Sequence, residues 1–299
     1  MKYNFEIFTP EEINTYVDEL RLLEKRIEYP LENGQENFHI IHGNNYPQFF
    51  TQQGFKTRFV AIKHGDKVIG SVAGVWKPVI IESKEYTGFY ISDLKIDVKH
   101  RKKKILPRLL WYLFKRWPFN SDYQGWDFNF FCTMLRNGNG VEASFKGLNL
   151  TKLPSLSATI KIFMIDPVAF QSFNFNSHPK ENESSFINLS PYRTELVLWN
   201  NGIKDIQSTK DGSILQLGHL HPLLFTKEFS QRLKECIKEI KNRKNGLVCF
   251  AIDTRDIKKI DWLKSNGIKT NTLCNIFSFS PFAPSLKKSN ILYISTGEI

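Results

Sequence analysis

The sequence predicts an α/β protein with a mixed sheet, built from two successive halves that repeat one order of elements. In each half a β-hairpin precedes strand, helix, strand, helix and strand, over residues 59–165 and again over 194–295. Alternating apolar residues identify the strands, and apolar residues three or four positions apart identify the helices. No sequence motif is repeated between the halves, so the repetition is one of expected topology.

Length and composition exclude several classes of protein. The chain has 299 residues, which corresponds to about two domains of roughly 150 residues. Its 41% of hydrophobic and 14% of aromatic residues exclude a mostly disordered chain. No apolar run approaches the roughly 18 residues of a membrane span, and the first residues lack the pattern of a signal peptide. We therefore expect a cytoplasmic protein without a membrane-spanning segment.

A capping box predicts the first helix. Thr9 stands at the N-cap, Pro10 at the first helical position and Glu12 at the third, and apolar residues continue at helical spacing to residue 27. Pro107 fits a helix only in its first turn, so a later helix must begin near Lys104. The first half then contains, in order, a hairpin of strands 59–62 and 68–76, a strand at 86–98, the helix from Lys104 to Trp117, a strand at 128–132, a short helix at 137–146 and a strand at 158–165.

A stretch of weak pattern separates the halves. Residues 171–190 show little periodicity, so we expect a linker or a long surface loop there. The second half contains a hairpin of strands 194–199 and 203–207, a strand from 213, a helix from 226 to 245, a strand at 247–252, a helix at 256–265 and strands at 273–279 and 291–295. We divide the chain into an N-terminal domain of residues 1–168, a linker of 169–190 and a C-terminal half of 191–299.

Positive charge is concentrated in one segment. The formal net charge is +11, and the stretch from Lys95 to Arg116 holds nine basic residues against the single acidic residue Asp97. Such a local field attracts phosphate groups. A nucleotide cofactor, a nucleic acid and a merely solvated helix face are the three interpretations of this segment.

The same segment contains a strand, a basic turn and an amphipathic helix. Free N–H groups and the dipole at a helix N-terminus make an anion site, and four consecutive basic residues, 101–104, stand at this one. The strand changes its apolar parity: Phe89 and Ile91 are odd-numbered, whereas the apolar residues 94, 96 and 98 are even-numbered. This shift predicts a β-bulge at Ser92-Asp93, a feature common beside active sites.

The segment resembles the GNAT superfamily of acyl-CoA-dependent N-acyltransferases. In that superfamily a strand and turn of the form L-x-V-x-P-x-x-R-G-x-G-I-G lead into a helix, and this R-x-x-G-x-G/A loop binds the pyrophosphate of acetyl-CoA. The matching positions here are Leu94 and Ile96 in the strand, Arg101 at the start of the loop and Ile105 between its glycine positions. Lys102, Lys104 and Leu106 stand where the superfamily usually has Gly, Gly and Gly or Ala, so this loop departs from the pattern in backbone freedom and in charge.

The resemblance implies a GNAT-like fold, most simply two GNAT-like halves of which the second lacks the phosphate loop. Its corresponding turn, residues 217–222, carries no basic cluster. The implied co-substrate is acetyl-CoA or another acyl-CoA, and the implied acceptor is an amine of a small molecule or a peptide. The residues implied to bind the acyl-CoA are Leu94, Lys95, Ile96, Arg101, Lys102, Lys103, Lys104, Ile105 and Leu106.

Asp93 is the candidate catalytic residue. The reaction needs a base near the bulge to accept the proton of the amine, and Asp93 lies there. Phe145 stands near the position where the superfamily often has a tyrosine as general acid, and it has no proton to donate. Tyr90 and Tyr123 are the candidate replacements.

No metal site is expected. The cysteines at 132, 236, 249 and 274 form no C-x-x-C pair, and we expect reduced thiols in apolar surroundings. His219 and His221 alternate along one strand without an evident third ligand. Two further functions stay open: a non-catalytic protein that binds CoA or another nucleotide, and a basic nucleic-acid-binding protein.

Overall fold

The structure is a computed structural model, and it describes residues 3–139, 155–174, 186–193, 197–198, 203–221, 227–279, 286 and 290–299. Within these residues one mixed sheet of fifteen strands forms the centre of the molecule. Its main strands lie side by side in the order 3–8, 56–64, 67–81, 84–96, 128–134, 273–279, 155–165, 246–253, 214–219, 205–208, 36–41 and 29–31. The predicted mixed α/β architecture is confirmed.

Most of the predicted elements after residue 56 are present, whereas the strands at 3–8, 29–31 and 36–41 lie where the sequence predicted none. The earlier strands are β1 (Tyr3–Phe8), β2 (Tyr29–Leu31), β3 (Glu36–Ile41), β4 (Lys56–His64), β5 (Lys67–Ile81), β6 (Lys84–Ile96), β7 (Phe128–Met134) and β8 (Ser155–Ile165). The later strands are β9 (Phe186–Asn188), β10 (Val197–Leu198), β11 (Asp205–Ser208), β12 (Ile214–His219), β13 (Gly246–Asp253), β14 (Leu273–Phe279) and β15 (Ile291–Tyr293). The helices are α1 (Pro10–Ile13), α2 (Val17–Glu24), α3 (Tyr46–Thr51), α4 (Ile105–Arg116), α5 (Lys227–Lys241) and α6 (Ile257–Ser265).

The capping box at the first helix is confirmed. The Thr9 hydroxyl accepts the N–H of Glu12, and the Glu12 carboxylate accepts the N–H of Thr9. A single-turn 3₁₀ segment, Asn14–Tyr16, separates α1 from α2, so the expected helix is interrupted once. The predicted helix at 137–146 falls mostly outside the described residues. Its first three residues, 137–139, form a turn closed by a bridge between Arg136 and Asn139.

Each half of the chain contains one parallel strand pair joined through a helix. β6 pairs in parallel with β7, and α4 connects them. β12 pairs in parallel with β13, and α5 connects them. Parallel neighbours need such a crossover, which places a helix against the face of the sheet. The expected repetition of topology between the halves therefore has this strand–helix–strand unit at its centre.

The strands of the two halves alternate within the sheet. β14 lies between β7 and β8, and β8 lies between β14 and β13. Near the start of the chain, β3 pairs with β11. The sheet thus continues across the proposed boundary at residue 168, and the division into domains stays a prediction. Residues 186–188, which the sequence places in the linker, form β9 and pair with β5 and β15.

The expected hairpin of 194–199 and 203–207 is wrong in its pairing. Its described parts, β10 and β11, do not pair with each other, and each pairs with β12 instead. The short turn sequence suggested a local partner, but both strands pair with β12, which follows them, and β11 also pairs with β3, which lies far before it.

Two apolar layers cover the faces of the first half of the sheet. Phe59 and Ala61 of β4 belong to the larger core, together with Leu20 of α2. Val60 and Ile62 point to the opposite face and pack against Ile105 and Leu109 of α4. Alternation along β4 therefore places α2 and α4 on opposite faces.

No helix in the described part of the chain combines the length and the apolar character needed to cross a membrane.

Candidate active site

The site begins where two parallel strands separate. β6 pairs with β7 from Gly88 to Ile91, opposite Phe128 to Phe131. β7 continues to Met134 alongside β14, whereas no described strand pairs with β6 on that side beyond Ile91. The N–H and C=O groups on this side of β6 therefore face a cleft.

The predicted bulge lies at the start of this cleft. The register between β5 and β6 shifts between Ser71 and Ala73, opposite the stretch that follows Ser92. Asp93 takes a φ of +55° there, in the left-handed region that few residues other than glycine adopt. The parity change in the sequence thus marked the bulge correctly.

Both carboxylate oxygens of Asp93 are engaged. The ammonium of Lys95 lies 2.7 Å from Oδ1, and the hydroxyl of Tyr46 donates to Oδ2 at 2.5 Å. Tyr46 is fully buried, and burial together with the negative charges of Asp93 and Glu24 raises its pKa, so this hydroxyl stays a donor. Asp93 is held in one orientation at the bulge.

Lys95 connects Asp93 to a second buried carboxylate. Its ammonium lies 2.8 Å from Glu24, and His42 also bonds Glu24 through Nδ1 and through its main-chain N–H. Burial alone would raise the pKa of Glu24, but the charges and hydrogen bonds of Lys95 and His42 outweigh it and lower that pKa to about 2. Burial opposes the charge of Lys95, yet Asp93 and Glu24 raise its pKa, so it stays protonated.

This group of side chains includes three metal-ligand types. Oxygen or nitrogen atoms of Glu24, His42 and Asp93 lie within 4.8 Å of one another. The ammonium of Lys95 lies between the two carboxylates and offsets one of their two negative charges.

The basic turn after β6 has the backbone of a glycine loop. Lys102 has a φ of +64°, and Lys104, the N-cap of α4, has a φ of +55°. A left-handed conformation costs a residue with a side chain roughly 1–2 kcal/mol. These are two of the three positions at which the GNAT pattern has glycine; the third, Leu106, lies within α4. The loop keeps the conformation and carries two exposed ammonium groups in place of two hydrogen atoms.

Arg101 fastens this turn to the strand before it. Its Nε donates to the carbonyl oxygen of Ile96 at 3.1 Å. The bond holds the turn against the end of β6, beside the first turn of α4. The N–H groups in the first turn of a helix have no partner within it, and they attract anions.

A cavity of about 1800 Å³ joins these features. The sequence-predicted residues that border it are Asp93, Leu94, Ile96, Arg101, Lys102, Lys104, Ile105 and Leu106. Two predicted residues do not border it: Lys95 is buried in its ion pairs, and Lys103 points to solvent. The structure thus brings most of the predicted set to one wall, and the roles of these residues stay predictions.

The second half also contributes to the cavity wall and supplies a residue that the sequence analysis missed. Lys204, just before β11, is buried, and its ammonium donates to the main-chain oxygen of Ile299. Burial lowers the pKa of Lys204 to about 8, against the opposing charges around it. No local pattern marks this residue, because its importance comes from a cavity formed by distant strands.

His219 also borders the cavity. Its Nδ1 lies 2.9 Å from the hydroxyl of Thr296, and burial followed by the charge of Lys204 lowers its pKa to about 3, so the ring is neutral. His221 bonds Asn188 instead, and burial lowers its pKa to about 4. Each histidine has its own hydrogen-bond partner, and the two do not form a common ligand set.

The candidate acids and thiols lie in different places. Tyr90 borders the cavity, and burial raises its pKa. Tyr123 lies in a 3₁₀ turn that is not part of the cavity wall, and Phe145 lies outside the described residues.

All four cysteines are free thiols. Burial raises the pKa of Cys249 to about 11, so this cavity-lining thiol is protonated.

Comparison with known proteins identifies the fold. No family model matches the sequence, and neither does any curated protein. The structure is similar to Saccharomyces cerevisiae N-myristoyltransferase with bound myristoyl-CoA and inhibitors, with a TM-score of 0.53 and 11% identity over 92% of this chain and 80% of that one. It is also similar to a tandem GNAT protein from the clavulanic acid biosynthesis pathway, with a TM-score of 0.51 and 11% identity over 95% and 100% of the two chains. The chain has a GNAT-like fold.

Within this GNAT-like fold, only the first parallel strand pair carries a basic loop. The segment between β6 and α4 has basic residues at each of positions 101–104, whereas the sequence after β12, Leu220-His221-Pro222, has none. The chemistry of the first site therefore suits a phosphate-bearing ligand better than the second.

Replacing either left-handed lysine by glycine should stabilise the protein. We expect Lys102→Gly and Lys104→Gly each to raise the free energy of unfolding by about 1 kcal/mol, because glycine relieves the left-handed cost but gains some entropy in the unfolded chain. Urea denaturation measures the change. Lys103→Gly is the matched control. Because Lys103 has no left-handed φ, this substitution should not raise the free energy of unfolding. Equal effects at all three positions would contradict the strain assigned to 102 and 104.

Acid should destabilise the protein in part through Glu24. The pKa of Glu24 is about 2 in the folded state and about 4.3 in an unfolded chain. A lowered pKa stabilises the fold above the unfolded value, and this contribution, on the order of 3 kcal/mol, is lost as the pH falls toward the folded value. Denaturation between pH 7 and pH 3 should therefore give a shallower loss of stability for Glu24→Gln than for the wild type. The exposed Glu36→Gln serves as control, and parallel profiles for all three proteins would refute the assignment.

Proposed function

We propose that this protein transfers an acyl group from an acyl-CoA to an amine. The observation that carries the proposal is the meeting of three features at one cavity: the bulge at Asp93, the open side of β6 and the left-handed basic turn before α4. In a GNAT-like fold these are the parts that acyl-CoA chemistry requires.

The basic turn is the proposed site for the phosphates of the acyl-CoA. Lys102 and Lys104 supply charge, and the first turn of α4 supplies N–H groups that have no acceptor within the helix. The lysine side chains are exposed and free to follow a flexible pyrophosphate. We assign the thioester to the cleft beside β6, where main-chain N–H groups can donate to the carbonyl oxygen as it gains negative charge.

The reaction is proposed as a direct transfer. The amine nitrogen attacks the thioester carbonyl carbon, a C–N bond forms, and the C–S bond breaks to release CoA as a thiolate. The amine loses one proton to a base, and the thiolate takes up one proton. Asp93 is the proposed base, directly or through a water molecule, and Tyr90 on the cavity wall is the proposed donor to the thiolate.

Lys204 is a second candidate base. With a pKa of about 8 it carries a neutral amine in about a tenth of the molecules at pH 7. It borders the same cavity as Asp93, close enough for the Asp93 charge to act on it. A base assigned to Lys204 predicts activity that rises with pH up to about 8, whereas a base with the ordinary pKa of an aspartate predicts no rise in that range.

The acyl group and the acceptor are the finer parts of the proposal. The GNAT resemblance favours acetyl. The cavity also has an apolar wall formed by Ile162, Met164 and Leu217, which suits a longer chain, and the similar N-myristoyltransferase structure holds myristoyl-CoA. Competition among acetyl-, octanoyl- and palmitoyl-CoA for the site ranks these donors. The acceptor remains an amine of a small molecule or a peptide.

Binding without turnover is the second candidate function. The observation in its favour is that Lys95 and Tyr46 occupy both oxygens of Asp93, which leaves this carboxylate less able to take a proton. A protein of this kind would bind acyl-CoA at the same loop and give no product with any amine.

Charge reversal in the basic turn should weaken acyl-CoA binding. In calorimetric titration at low salt and at about 0.3 M salt, we expect saturable binding of acetyl-CoA, and Lys102→Glu or Lys104→Glu should weaken it about tenfold or more, the size of one lost contact to a charged group. Lys244→Glu makes the same charge change at an exposed position outside the cavity wall and should bind normally. Equal affinity in all variants, or binding that a short oligonucleotide matches and salt abolishes, would refute the site.

Turnover should depend on Asp93. We expect Asp93→Asn to lower kcat by about 10²–10⁴-fold, the usual contribution of a general base, with little change in the dissociation constant of acyl-CoA. Asparagine tolerates the left-handed backbone of this position, so the bulge is retained. Release of free CoA thiol with a panel of amines measures the rate, and Lys204→Met tests the other base. Tight binding without turnover by the wild type would favour the second candidate function.

A further inference from the structure

Helix α4 has a second apolar surface on its outward side. Ile105 and Leu109 are buried against the sheet. At 3.6 residues per turn, Trp111 and Phe114 point to the opposite side of the helix. Their side chains are 58% and 63% exposed. An apolar side directed to solvent is unusual for a helix whose other side already fills a core.

The exposed apolar residues form one group, which we name the α4 aromatic patch: Leu110, Trp111, Phe114 and Phe119. The rings of Trp111 and Phe114 stack with centroids 6.0 Å apart. Phe119 follows in the 3₁₀ turn after the helix and is 89% exposed. Single exposed apolar residues are common on proteins, but a stacked pair of rings with a further exposed ring in the next turn of the chain indicates an interaction surface.

Positive charge surrounds the patch. Residues 98–121 contain eight lysines and arginines and no aspartate or glutamate. On α4 itself, Arg108, Lys115 and Arg116 are exposed. The ammonium of Lys115 lies 4.8 Å from the centre of the Trp111 ring. Cations and aromatic rings therefore share one surface.

We propose that the α4 aromatic patch binds the anionic surface of a lipid bilayer. Trp and Phe side chains enter the boundary between headgroups and acyl chains, while Lys and Arg stay at the negatively charged headgroups. The helix lies flat on the membrane with its outward side down. The three aromatic residues of the patch do not border the cavity, whereas Leu110 does, so the patch adjoins the proposed acyl-CoA site.

A bilayer fits this surface better than a nucleic acid. Proteins that stack bases on aromatic rings do so within a basic groove that follows the strand. Here the rings stand on the outer side of a helix, and Leu110 adds apolar area that offers no face for a base. A lipid interface uses apolar area of any shape together with flanking cations.

Vesicle flotation tests the proposal with the full chain. We expect binding to vesicles of phosphatidylcholine with 30% phosphatidylserine, and little binding to phosphatidylcholine alone. Trp111→Ser combined with Phe114→Ser should weaken binding about tenfold or more, since each lost ring removes apolar area from the interface. Leu22→Ser is the matched control. Leu22 is 61% exposed on α2, on the opposite face of the sheet, so this substitution should leave vesicle binding unchanged.

The basic residues beside the patch allow a second, independent test. Lys115→Ala and Arg116→Ala should each weaken vesicle binding about fivefold, and high salt should weaken it further. Acetyl-CoA titration of each variant confirms that the fold is intact, because these positions lie outside the proposed loop. Absence of binding to anionic vesicles, or equal binding by the Trp111/Phe114 variant, would overturn the proposal. Loss of oligonucleotide binding with unchanged vesicle binding in that variant would assign the patch to nucleic acid.

Discussion

Lys95 places one positive charge between two carboxylates that would otherwise repel each other inside the protein. Asp93 belongs to the bulge of β6, and Glu24 belongs to the end of α2, so the ion pairs join the strand to the helix that covers it. Removal of one partner from such a buried group leaves a charge without compensation, which typically costs several kcal/mol. Together with the hydroxyl of Tyr46, this ammonium fixes the orientation of the Asp93 carboxylate at the left-handed bulge, where the cleft beside β6 begins.

The basic turn has the left-handed backbone of a glycine loop but carries lysines in place of the glycines. Glycine at a left-handed position allows a close approach of main-chain N–H groups to a phosphate. Lysine at the same position gives up conformational ease and adds a mobile charge. Lys102 and Lys104 keep the left-handed backbone of such a loop and add two exposed ammonium groups to it. In the proposed function these ammonium groups supply the charge that meets the phosphates.

Features that depend on neighbouring residues could be predicted from the sequence. The bulge followed from a change of parity within β6, the start of α4 followed from Pro107, and the capping box followed from Thr9 and Glu12. The partners of Lys95 could not be predicted, because Glu24 lies 71 residues away. Position alone assigned Lys95 to the acyl-CoA site, but the bulge displaces the alternation of side chains, and its ammonium points into the core. Lys204 was missed for the same reason: its surroundings are built from strands distant in the sequence.

The position of β8 between β13 and β14 has a consequence for synthesis of the protein. Both partners of β8 are translated later, β13 about 80 residues after β8 ends. Similarly, β3 pairs with β11, which is synthesised more than 160 residues later. On the ribosome the first half therefore emerges with unpaired strand edges, and such edges favour aggregation. Pairings this distant also make folding slow. Until the last strands complete the sheet, these open edges leave the nascent chain exposed to association with other chains.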